Sequence, residues 1–405
     1  MKVISFVEGA KAPKGGLGLV GVPGITESLA DRGHEAVLNV AGRVIPGADQ
    51  FIQADVNCSL HQKSGAGVFD IVTFPAYGRW AFAPAMLWAL RRHVADADFI
   101  SLHSLYSFPI FVGYLLARIY HKPYGLWPHG VLAPFQRCVS AGKKRIYDWI
   151  IARRILNEAS VLFYSATGER DEARPLRLEP PSVIIPHGIN VKEYLQLPPR
   201  GDFRTKFLLG YQGPLVLFLS RLNAKKGLDI LAQAFAIVLE KMPEVRLAIV
   251  GGADPPEFES RVKSWLRECG INGQAIMPGF LKNQEKLQAF ADADVFVFPS
   301  EAENFGFAMF EAMASRIPVV VSDKLDYAAE VRRYEAGLVA RRDPQEFGKA
   351  MVRLLGDPDL RKHMGENGLK LAQLYSWENC GEKIERVIQC VLKGKSLPTD
   401  LVLGR

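Results

Sequence analysis

Cysteine is scarce in this chain of 405 residues, and no two cysteines form a pair suited to holding a metal. The five cysteines are scattered, odd in number and without a C-x-x-C motif. This usage argues against a structural zinc site and favours a reducing compartment. Long apolar runs are also missing, since no stretch of the sequence reaches the ~18 residues that a membrane span needs. The N-terminal stretch has no cleavage signature, so we expect no signal peptide and a cytoplasmic protein.

A carboxylate is missing where a dinucleotide-binding site would need one. The stretch "GGLGLVG" (15–21) contains G-x-G-x-x-G after an apolar first strand, but the second strand ends in "NVA" (39–41), without the Asp or Glu that holds a ribose. Pro23 further predicts that the next helix begins near 22–24, beyond the glycines. We therefore do not expect NAD. A flexible turn and a loop that closely approaches a substrate both remain open.

The chain is basic, with a formal charge of +7 and a pI near 9.0. Nucleic acid, anionic lipid and anionic sugar nucleotides are all suitable partners for such a charge. The sequence contains no nucleic-acid-binding motif, so we do not expect nucleic acid to be the partner.

Short runs rich in Val, Ile and Leu alternate with helical patterns, which is typical of parallel sheets covered by helices. Prolines and polar residues cluster at 195–203, and this break predicts two Rossmann-like domains of similar size that face each other. A long last helix is expected from about 377 to 392, followed by a loose tail. The predicted strands are 3–7, 35–40, 98–103, 123–127, 161–165, 183–186, 214–220, 246–251, 274–278, 294–298 and 318–322.

Two cations follow one of these strands, in the loop "SRLNAKKG" (220–227). Ligands of such folds bind beyond the carboxyl ends of the strands, so Arg221 and Lys226 lie at the expected edge. Two cations in front of a helix N-terminus suit a diphosphate. A solvated basic loop is the alternative interpretation.

Two glutamates stand in an E-x7-E pattern within "FPSEAENFGFAMFEAMASR" (298–316). If a helix begins near Phe305, Glu303 lies ahead of its N-terminus and Glu311 lies within it. Gly306 then lets backbone amides approach a phosphate without a side chain in the way. Such carboxylates can accept hydrogen bonds from sugar hydroxyls, although two surface glutamates on an amphipathic helix would give the same pattern.

In combination, these motifs resemble the family 4 retaining glycosyltransferases (glycosyl transferases group 1), which have the two-domain GT-B fold. The resemblance covers nearly the whole chain. The stretches that carry it are "KGG" near the start, "RGHEAVLNV" (32–40), "PHG" (128–130), "IIPHGIN" (184–190), "SRLNAKKG" (220–227), "IVGGAD" (249–254), "DVFVFPSEAENFGFAMFEAMA" (294–314) and "YSWENC" before the last helix.

The resemblance implies a domain organisation and a role for each matching position. Residues 1–195 with about 377–405 would form an acceptor-binding domain to which the last helix crosses back, and 196–376 would bind the nucleotide sugar. Arg221 and Lys226 would hold the diphosphate of the donor, Glu303 would hold a hydroxyl of the transferred sugar, and His129 would lie near its reacting carbon. The other expected donor contacts are Gly15 and Gly16 at the phosphate, Phe280 and Leu281 at the base, Phe305, Gly306 and Phe307 at the sugar and phosphates, and Glu311 at the ribose.

The implied activity is that of a retaining hexosyltransferase in polysaccharide or cell-envelope glycan synthesis. It would move a sugar from a UDP-, GDP- or ADP-sugar to a glycan or lipid-linked acceptor, without a cofactor or a metal. The departing diphosphate would take the acceptor proton while the two cations stabilise its charge. A GT-B nucleotide-sugar epimerase or hydrolase, or a catalytically silent subunit, are the alternatives. His187 and Asn190 depart from the Asn and Asp that relatives usually carry.

Several remaining residues have a functional and a structural interpretation. Asp96 with Asp98 and Asp292 with Asp294 each spell D-x-D, but both pairs precede strands at the edge away from the expected site, so we expect no metal there. His103 follows a strand and could line the acceptor site or pack in the core.

The segment 137–154, "RCVSAGKKRIYDWIIARR", holds six basic residues and one acidic residue, interleaved with Ile, Tyr and Trp. A basic helix with an aromatic-rich apolar face suits an anionic lipid surface. We therefore predict peripheral binding at the inner face of a membrane and a membrane-presented acceptor. Tyr147, Ile151 and Ile155 recur at helical spacing. The alternative is that Ile150, Ile151 and Ile155 face the domain core while the basic residues are solvated.

Overall fold

The structure, a computed structural model, describes residues 1–9, 18–42, 59–64, 67–78, 80–134, 147, 151–303 and 305–403. The chain divides into two units: unit 1 is Met1–Gly188 with Trp377–Arg405, and unit 2 is Ile189–Ser376. The sequence placed the first boundary at 195 instead. The difference is the short helix Val191–Leu195, which belongs to unit 2 because its Tyr194 packs against Phe290 of that unit, with ring centroids 5.8 Å apart.

Within the described residues, unit 1 is built on an eight-stranded sheet with the order β3-β4-β2-β1-β5-β6-β7-β8. Neighbouring strands pair in parallel, except that β3 and β4 are antiparallel. The strands are β1 Lys2–Glu8, β2 Glu35–Ala41, β3 Ser59–Ser64, β4 Gly67–Phe74, β5 Phe99–His103, β6 Tyr124–Trp127, β7 Val161–Tyr164 and β8 Ser182–Ile184. The first helices are α1 Gly18–Asp31, α2 Ala85–Ala89, α3 Arg91–Ala95, α4 Phe108–Ile119, α5 Arg153–Asn157 and α6 Thr167–Ala173, with a 3-10 turn at Arg174–Leu176.

Helices cover both faces of this sheet, as buried parallel strands require. Alternate residues of β1 point to opposite sides, because side chains alternate along a strand. Ile4 and Phe6 belong to one apolar cluster, and Val3 and Val7 belong to the other. The carboxyl ends of β5, β6 and β8 are therefore held rigidly at one edge of a sheet that has a core on each face.

The helix α1 begins at Gly18, so the prediction of a start near 22–24 was wrong. Pro23 lies inside the helix rather than in its first turn. Close packing requires glycine at two positions of this helix. A Cβ at Gly21 would lie 2.8 Å from the ring of His187, and a Cβ at Gly24 would overlap the indole of Trp377. These two glycines therefore give α1 a close approach to two aromatic rings within unit 1.

Unit 2 contains, within the described residues, a six-stranded parallel sheet with the order β11-β10-β9-β12-β13-β14. The strands are β9 Leu215–Leu219, β10 Arg246–Val250, β11 Ala275–Gly279, β12 Val295–Phe298, β13 Val319–Ser322 and β14 Gly337–Ala340. The helices are α7 Val191–Leu195, α8 Asp202–Phe207, α9 Leu228–Lys241, α10 Phe258–Glu268, α11 Asn283–Asp292, α12 Phe307–Ala314, α13 Ala328–Arg333, α14 Pro344–Gly356 and α15 Pro358–Leu374, with a 3-10 turn at Ala224–Lys226.

The chain returns to unit 1 through α16, Trp377–Leu392, and ends in α17, Thr399–Leu403. Val387 and Ile388 of α16 are buried in the same apolar cluster as Val22 and Ile25 of α1. The tail is not loose as predicted. Leu401 is buried in this cluster too, and Leu397 and Val402 pack against it, so apolar contacts fix the short final helix.

The eleven strands predicted from the sequence are present in the structure, with ends that differ by at most two residues. Three strands were not predicted, namely β3, β4 and β14. The outer strands β3 and β14 lie at sheet edges and are polar or very short, so they lack the buried apolar run that identifies a central strand.

Candidate functional site

Two loops of unit 2 meet at the carboxyl ends of the neighbouring strands β9 and β12. The first carries Arg221 and Lys226, and the second carries Glu303. The backbone amide of Glu301 donates to the carbonyl of Lys225 at 2.7 Å. Gly227 has a φ of +67°, and a Cβ there would collide with the carbonyl oxygen of Pro299. The glycine after Lys226 is thus required for this approach of the two loops.

Lys226 and Glu303 form an ion pair through Nζ and Oε1. Both side chains are nearly buried, at 10% and 11% exposure, and the Lys226 ammonium also lies 5.4 Å from the Phe298 ring centroid. The Ser300 hydroxyl donates to the same Glu303 oxygen at 2.9 Å. The structure therefore brings together two residues that the sequence predicted for one site and holds both side chains in place.

Glu311 lies on α12 and is paired with a residue that the sequence did not indicate. Lys286 Nζ of α11 lies 3.0 Å from Glu311 Oε1 and 2.8 Å from the Tyr194 hydroxyl of α7. Both partners of the pair are mostly buried. This arrangement fixes the Glu311 carboxylate in the second turn of α12.

The N-terminus of α12 is formed as the sequence predicted. Gly306 is the N-cap with a φ of +81°, a conformation that favours glycine. The Phe305 ring is buried and stacks on Phe310 with centroids 4.4 Å apart, so Phe305 offers its backbone and not its ring to a ligand. Phe307 is half-buried and packs edge-on against Phe305.

The loops after β9, β10 and β11 extend the same edge of the sheet. Arg221 is 40% exposed, and its Nη1 lies 3.2 Å from Asp254 Oδ2 in the loop after β10. Phe280 is 66% exposed after β11, whereas Leu281 is buried. An exposed guanidinium after β9 and an exposed ring after β11, at the same edge of the sheet, are suited to contacting an anion and a flat ring system, respectively.

In unit 1, three histidines follow three strands of the sheet at their carboxyl ends. His103 ends β5, and His129 and His187 follow β6 and β8. The His129 ring lies between the other two, with centroids 5.4 Å from His103 and 5.3 Å from His187. Burial lowers the pKa of His103 to about 3 and that of His187 to about 4, and burial with the two neighbouring rings holds the pKa of His129 well below its usual value. All three rings are therefore neutral at pH 7.

The turn at His129 is held by a buried carboxylate. His129 and Gly130 both have positive φ, and the Gly130 amide donates to Glu169 Oε1 at 2.5 Å. The other oxygen of Glu169 accepts from the amide and the hydroxyl of Ser165, at 2.8 and 2.7 Å. Burial raises the pKa of Glu169, and these donors oppose the shift. Glu169 thus ties the His129 turn to the N-terminal end of α6.

Both D-x-D motifs serve the fold where the structure describes them. Asp292 accepts from the amides of Gly201 and Arg204 at 2.6 and 2.9 Å. Asp294 lies 3.2 Å from Arg204 Nη2, and Asp98 accepts from the amide of Lys2 at 2.7 Å. Across the described residues, no group of three or more His, Cys, Asp or Glu side chains is arranged to hold a metal ion.

Some of the residues predicted from the sequence lie outside the described part of the chain. These are Gly15 and Gly16, and, within the basic segment, residues 137–146 and 148–150. The described apolar residues of the segment favour the alternative interpretation: Ile155 is fully buried, and Tyr147 and Ile151 pack against the same core cluster. The aromatic-rich face predicted for lipid therefore belongs to the core at these three positions.

The sequence missed the residues that orient the predicted ones. Ser300, Lys286 and Glu169 each hold a site residue or its turn, yet none lies in a motif with a chemical meaning of its own. Glu169 had no local signal either, because a capping box places Ser and Glu three residues apart, whereas Ser165 and Glu169 stand four apart.

Family models match both units of the chain. Residues 19–188 match the model described as glycosyl transferase 4-like domain, and residues 200–371 match the model described as glycosyl transferases group 1.

Curated relatives match over most of their length. The chain is 29% identical to a D-inositol 3-phosphate glycosyltransferase of Corynebacterium urealyticum, with 85% of this chain and 81% of that protein covered. It is also 29% identical to a phosphatidyl-myo-inositol mannosyltransferase of Mycobacterium leprae, over 83% of this chain and 86% of that protein. Among solved structures, Anabaena HepE in complex with UDP and glucose matches with a TM-score of 0.74 at 18% identity, covering 96% of this chain and all of that one. The last similarity shows a shared fold.

Proposed function

The chain belongs to the group 1 glycosyltransferases and has their GT-B fold, and on this premise we propose which residues carry its glycosyltransferase activity. The retaining and metal-independent character expected from the sequence is consistent with this family. The donor is proposed to be a UDP-, GDP- or ADP-sugar, used without a cofactor. The acceptor is proposed to be a glycan or a lipid-linked molecule in polysaccharide or cell-envelope synthesis.

One observation carries the proposal for the donor site. Arg221 and Lys226 come from one stretch of unit 2, Glu303 and Glu311 come from a second, and the loops of the two stretches meet at one edge of its sheet. In this state every one of these charges already has a partner of opposite sign. An incoming diphosphate would exchange Asp254 and Glu303 for phosphate oxygens at Arg221 and Lys226, which would release Glu303 to accept from a sugar hydroxyl.

In the proposed reaction, the two cations stabilise the charge that grows on the departing diphosphate. The amides at the N-terminus of α12 face the same oxygens, where the helix dipole favours negative charge. Glu311 accepts from the ribose hydroxyls, and the backbone at Phe280 and Leu281 meets the base. His129 is proposed to act near the transferred sugar, and Gly15 and Gly16 near the phosphate.

Thermal shift with a panel of UDP-, GDP- and ADP-sugars tests the donor site, since selective binding to the folded state raises the melting temperature. We expect one nucleotide to stabilise the wild type and not the double variant Arg221→Ala/Lys226→Ala. The matched control, Arg267→Ala/Lys241→Ala, removes two exposed cations of the same unit and should respond like the wild type. An equal shift in the first variant, or no shift with any nucleotide, contradicts the assignment.

The reaction type is tested with the selected donor alone and then with an acceptor fraction. A transferase releases the free nucleoside diphosphate in proportion to the added acceptor. Release without acceptor indicates a hydrolase or an epimerase, and binding without release under either condition indicates a silent subunit.

For the acceptor, we propose a membrane-presented molecule and peripheral binding to anionic lipid. The support is the charge of 137–154 together with the surface beside it. Trp80 lies edge-on against Tyr147, with ring centroids 6.3 Å apart, and three further aromatic residues of unit 1 are exposed: Tyr77, Phe82 and Trp88. The Phe111 ring, 6.2 Å from that of Trp80, lines a groove together with Tyr114, Leu115, Arg118, Ile119, Ile151 and Arg154. Aromatic rings beside basic residues suit a headgroup boundary.

Every helix in the described part of the chain is too short or too polar to span a bilayer. Sedimentation with vesicles tests binding to the surface. We expect binding to anionic and not to neutral vesicles, and its loss when Lys143, Lys144 and Arg145 become Glu. The control is the double variant Lys241→Glu/Arg267→Glu, which reverses two exposed basic residues of unit 2 and should still bind. Equal binding to both vesicle types, or no effect of the triple reversal, makes a soluble acceptor the better proposal.

A further inference from the structure

A chain of hydrogen bonds leads from a buried serine to His129. Ser101 Oγ on β5 lies 3.0 Å from His103 Nε2, and His103 Nδ1 lies 3.1 Å from His129 Nε2. Ser101 and His103 are 4% and 0% exposed. The planes of the two imidazole rings make an angle of 15°, and the ring centroids lie 5.4 Å apart. These values fit an N–H···N hydrogen bond that lies close to the planes of both rings.

The buried Ser101 hydroxyl determines which nitrogen of each imidazole in this hydrogen-bond chain carries the proton. His103 Nε2 is the sole hydrogen-bond partner that the described residues give to the Ser101 hydroxyl. A buried hydroxyl donates its proton where an acceptor is available, so Ser101 donates and His103 Nε2 accepts. A neutral His103 then carries its proton on Nδ1 and donates it to His129 Nε2.

This arrangement also determines the tautomer of His129. Because His129 Nε2 accepts, a neutral His129 carries its single proton on Nδ1. The ring then presents Nδ1–H as a donor to whatever binds beside it. The tautomer of His129 is therefore decided by Ser101, a residue two hydrogen bonds away on a central strand of the sheet.

The ring is also held from other sides. His187 lies on the far side of His129 from His103, and Trp127 lies at 6.0 Å from both His103 and His129, nearly parallel to each. Trp127 in turn stacks on Phe163 with centroids 4.4 Å apart. This packing leaves the His129 ring little freedom to rotate, so the hydrogen bond to His103 has a fixed direction.

We propose that His103 is a positioning residue that, together with Ser101, fixes His129 in the Nδ1–H tautomer. The role of His129 in transfer rests on the proposed function, whereas the tautomer does not. His103 itself needs no contact with substrate. It acts through His129, in the way that the partner of a catalytic histidine commonly sets which ring nitrogen holds the proton.

The test is long-range ¹H–¹⁵N NMR of the full chain with ¹⁵N-labelled histidine, in the wild type, Ser101→Ala and His103→Phe. The His129 signals are assigned by their loss in His129→Gln. We expect wild-type His129 to show the Nδ1–H pattern alone. In Ser101→Ala the pattern should shift towards a mixture of tautomers, although this small change is made outside the contact shell of His129. His93→Gln, on the exposed face of α3, should leave the His129 signals unchanged.

An Nε2–H pattern in the wild type, or unchanged His129 signals in both Ser101→Ala and His103→Phe, overturns the proposal. Kinetics provide the second measurement. His103→Phe should lower kcat roughly tenfold or more while the donor thermal shift is retained. A correct tautomer result without an effect on kcat would support the positioning role and contradict the proposed part of His129 in the reaction, so the two failures are distinguishable.

Discussion

At the scale of single residues, the donor site differs from a simple cationic patch because each predicted charge is already neutralised. Lys226 is nearly buried against Glu303, while Arg221 is 40% exposed and meets Asp254. The two cations should therefore respond differently to substitution. Loss of Arg221 removes a ligand contact, whereas loss of Lys226 also leaves a nearly buried carboxylate without its ion pair.

We expect Arg221→Ala and Lys226→Met each to lower kcat by about 10²–10³-fold, the cost of removing one group that stabilises the developing charge. Arg221→Ala should leave the melting temperature nearly unchanged, because partly exposed ion pairs contribute about 0–1 kcal/mol. Lys226→Met should lower it. Steady-state kinetics and calorimetry on the same preparations measure both effects. Turnover within twofold of the wild type in both variants would reject the site.

The double variant Lys226→Met/Glu303→Gln separates the two roles of Lys226. Replacing both members of a buried pair restores much of the stability lost on removing one. We therefore expect the melting temperature to recover and the turnover not to recover. If turnover returned with stability, Lys226 would be serving the fold alone.

Among the helices and strands, the D-x-D motif at 292–294 has a structural role, although the same motif binds metal in other proteins. Its two aspartates bind the backbone and the guanidinium of α8 and so fasten that helix to the end of α11 and the start of β12. Asp294 also accepts from the Leu215 amide of β9 at 2.8 Å. These carboxylates are committed to protein donors.

We accordingly expect glycosyl transfer to continue in excess EDTA at the wild-type rate, with Arg221 and Lys226 supplying the positive charge. The measurement is nucleoside diphosphate release with and without chelator. Loss of activity that Mg²⁺ or Mn²⁺ restores, while Zn²⁺ does not, would assign a metal to the site after all.

The packing of α1 against α16 depends on Gly24. A Cβ at this position would overlap the Trp377 indole, so we expect Gly24→Ala to lower the free energy of unfolding by about 1–3 kcal/mol through overpacking. Gly356→Ala, at the end of α14, has open space at its Cβ and should have little effect. Because the clash is with one side chain, Trp377→Leu combined with Gly24→Ala should cost less than the sum of the two single changes. Additive costs measured by calorimetry would mean that the clash lies elsewhere.

At the scale of the whole molecule, three neutral histidines make the stability of unit 1 depend on pH. The pKa is lowered to about 3 at His103 and about 4 at His187, and well below its usual value at His129. The unfolded chain binds these protons near pH 6.5 and the folded unit does not. The unfolded state thus gains protons first as the pH falls, and stability is lost from about pH 6.5 downwards towards the folded-state values.

Each of these histidines should contribute a slope of about 1.4 kcal/mol per pH unit within that window. Calorimetry at pH 7.5, 6 and 5 measures the combined effect. His187→Asn should reduce the pH dependence by about a third, since one of three groups is removed. His93→Gln, at an exposed histidine, should leave it unchanged. Equal slopes in the wild type and His187→Asn would show that other groups control the acid sensitivity.

The alternation of buried strands and helices, the two sheets, and the stretches that carry Arg221, Lys226, Glu303 and Glu311 could all be predicted from the sequence. These features are local: a central strand needs a continuous apolar run, and a cation at a strand exit lies within a few residues of it. For the same reason the sequence missed β3 and β14, which lie at edges and have little apolar surface to bury.

Which residues meet across the sheet could not be predicted from the sequence and is seen in the folded chain. Ser101 and His103 share β5, whereas His129 and His187 follow β6 and β8, and Lys286 reaches Glu311 from another helix. Gly21 belongs to the G-x-G-x-x-G stretch, yet it and Gly24 give α1 room beside His187 and Trp377. Such partners depend on side-chain direction and burial in three dimensions. The spacing of residues along the sequence does not reveal these partners, because parallel strands that are adjacent in a sheet are separated by whole helices in the chain.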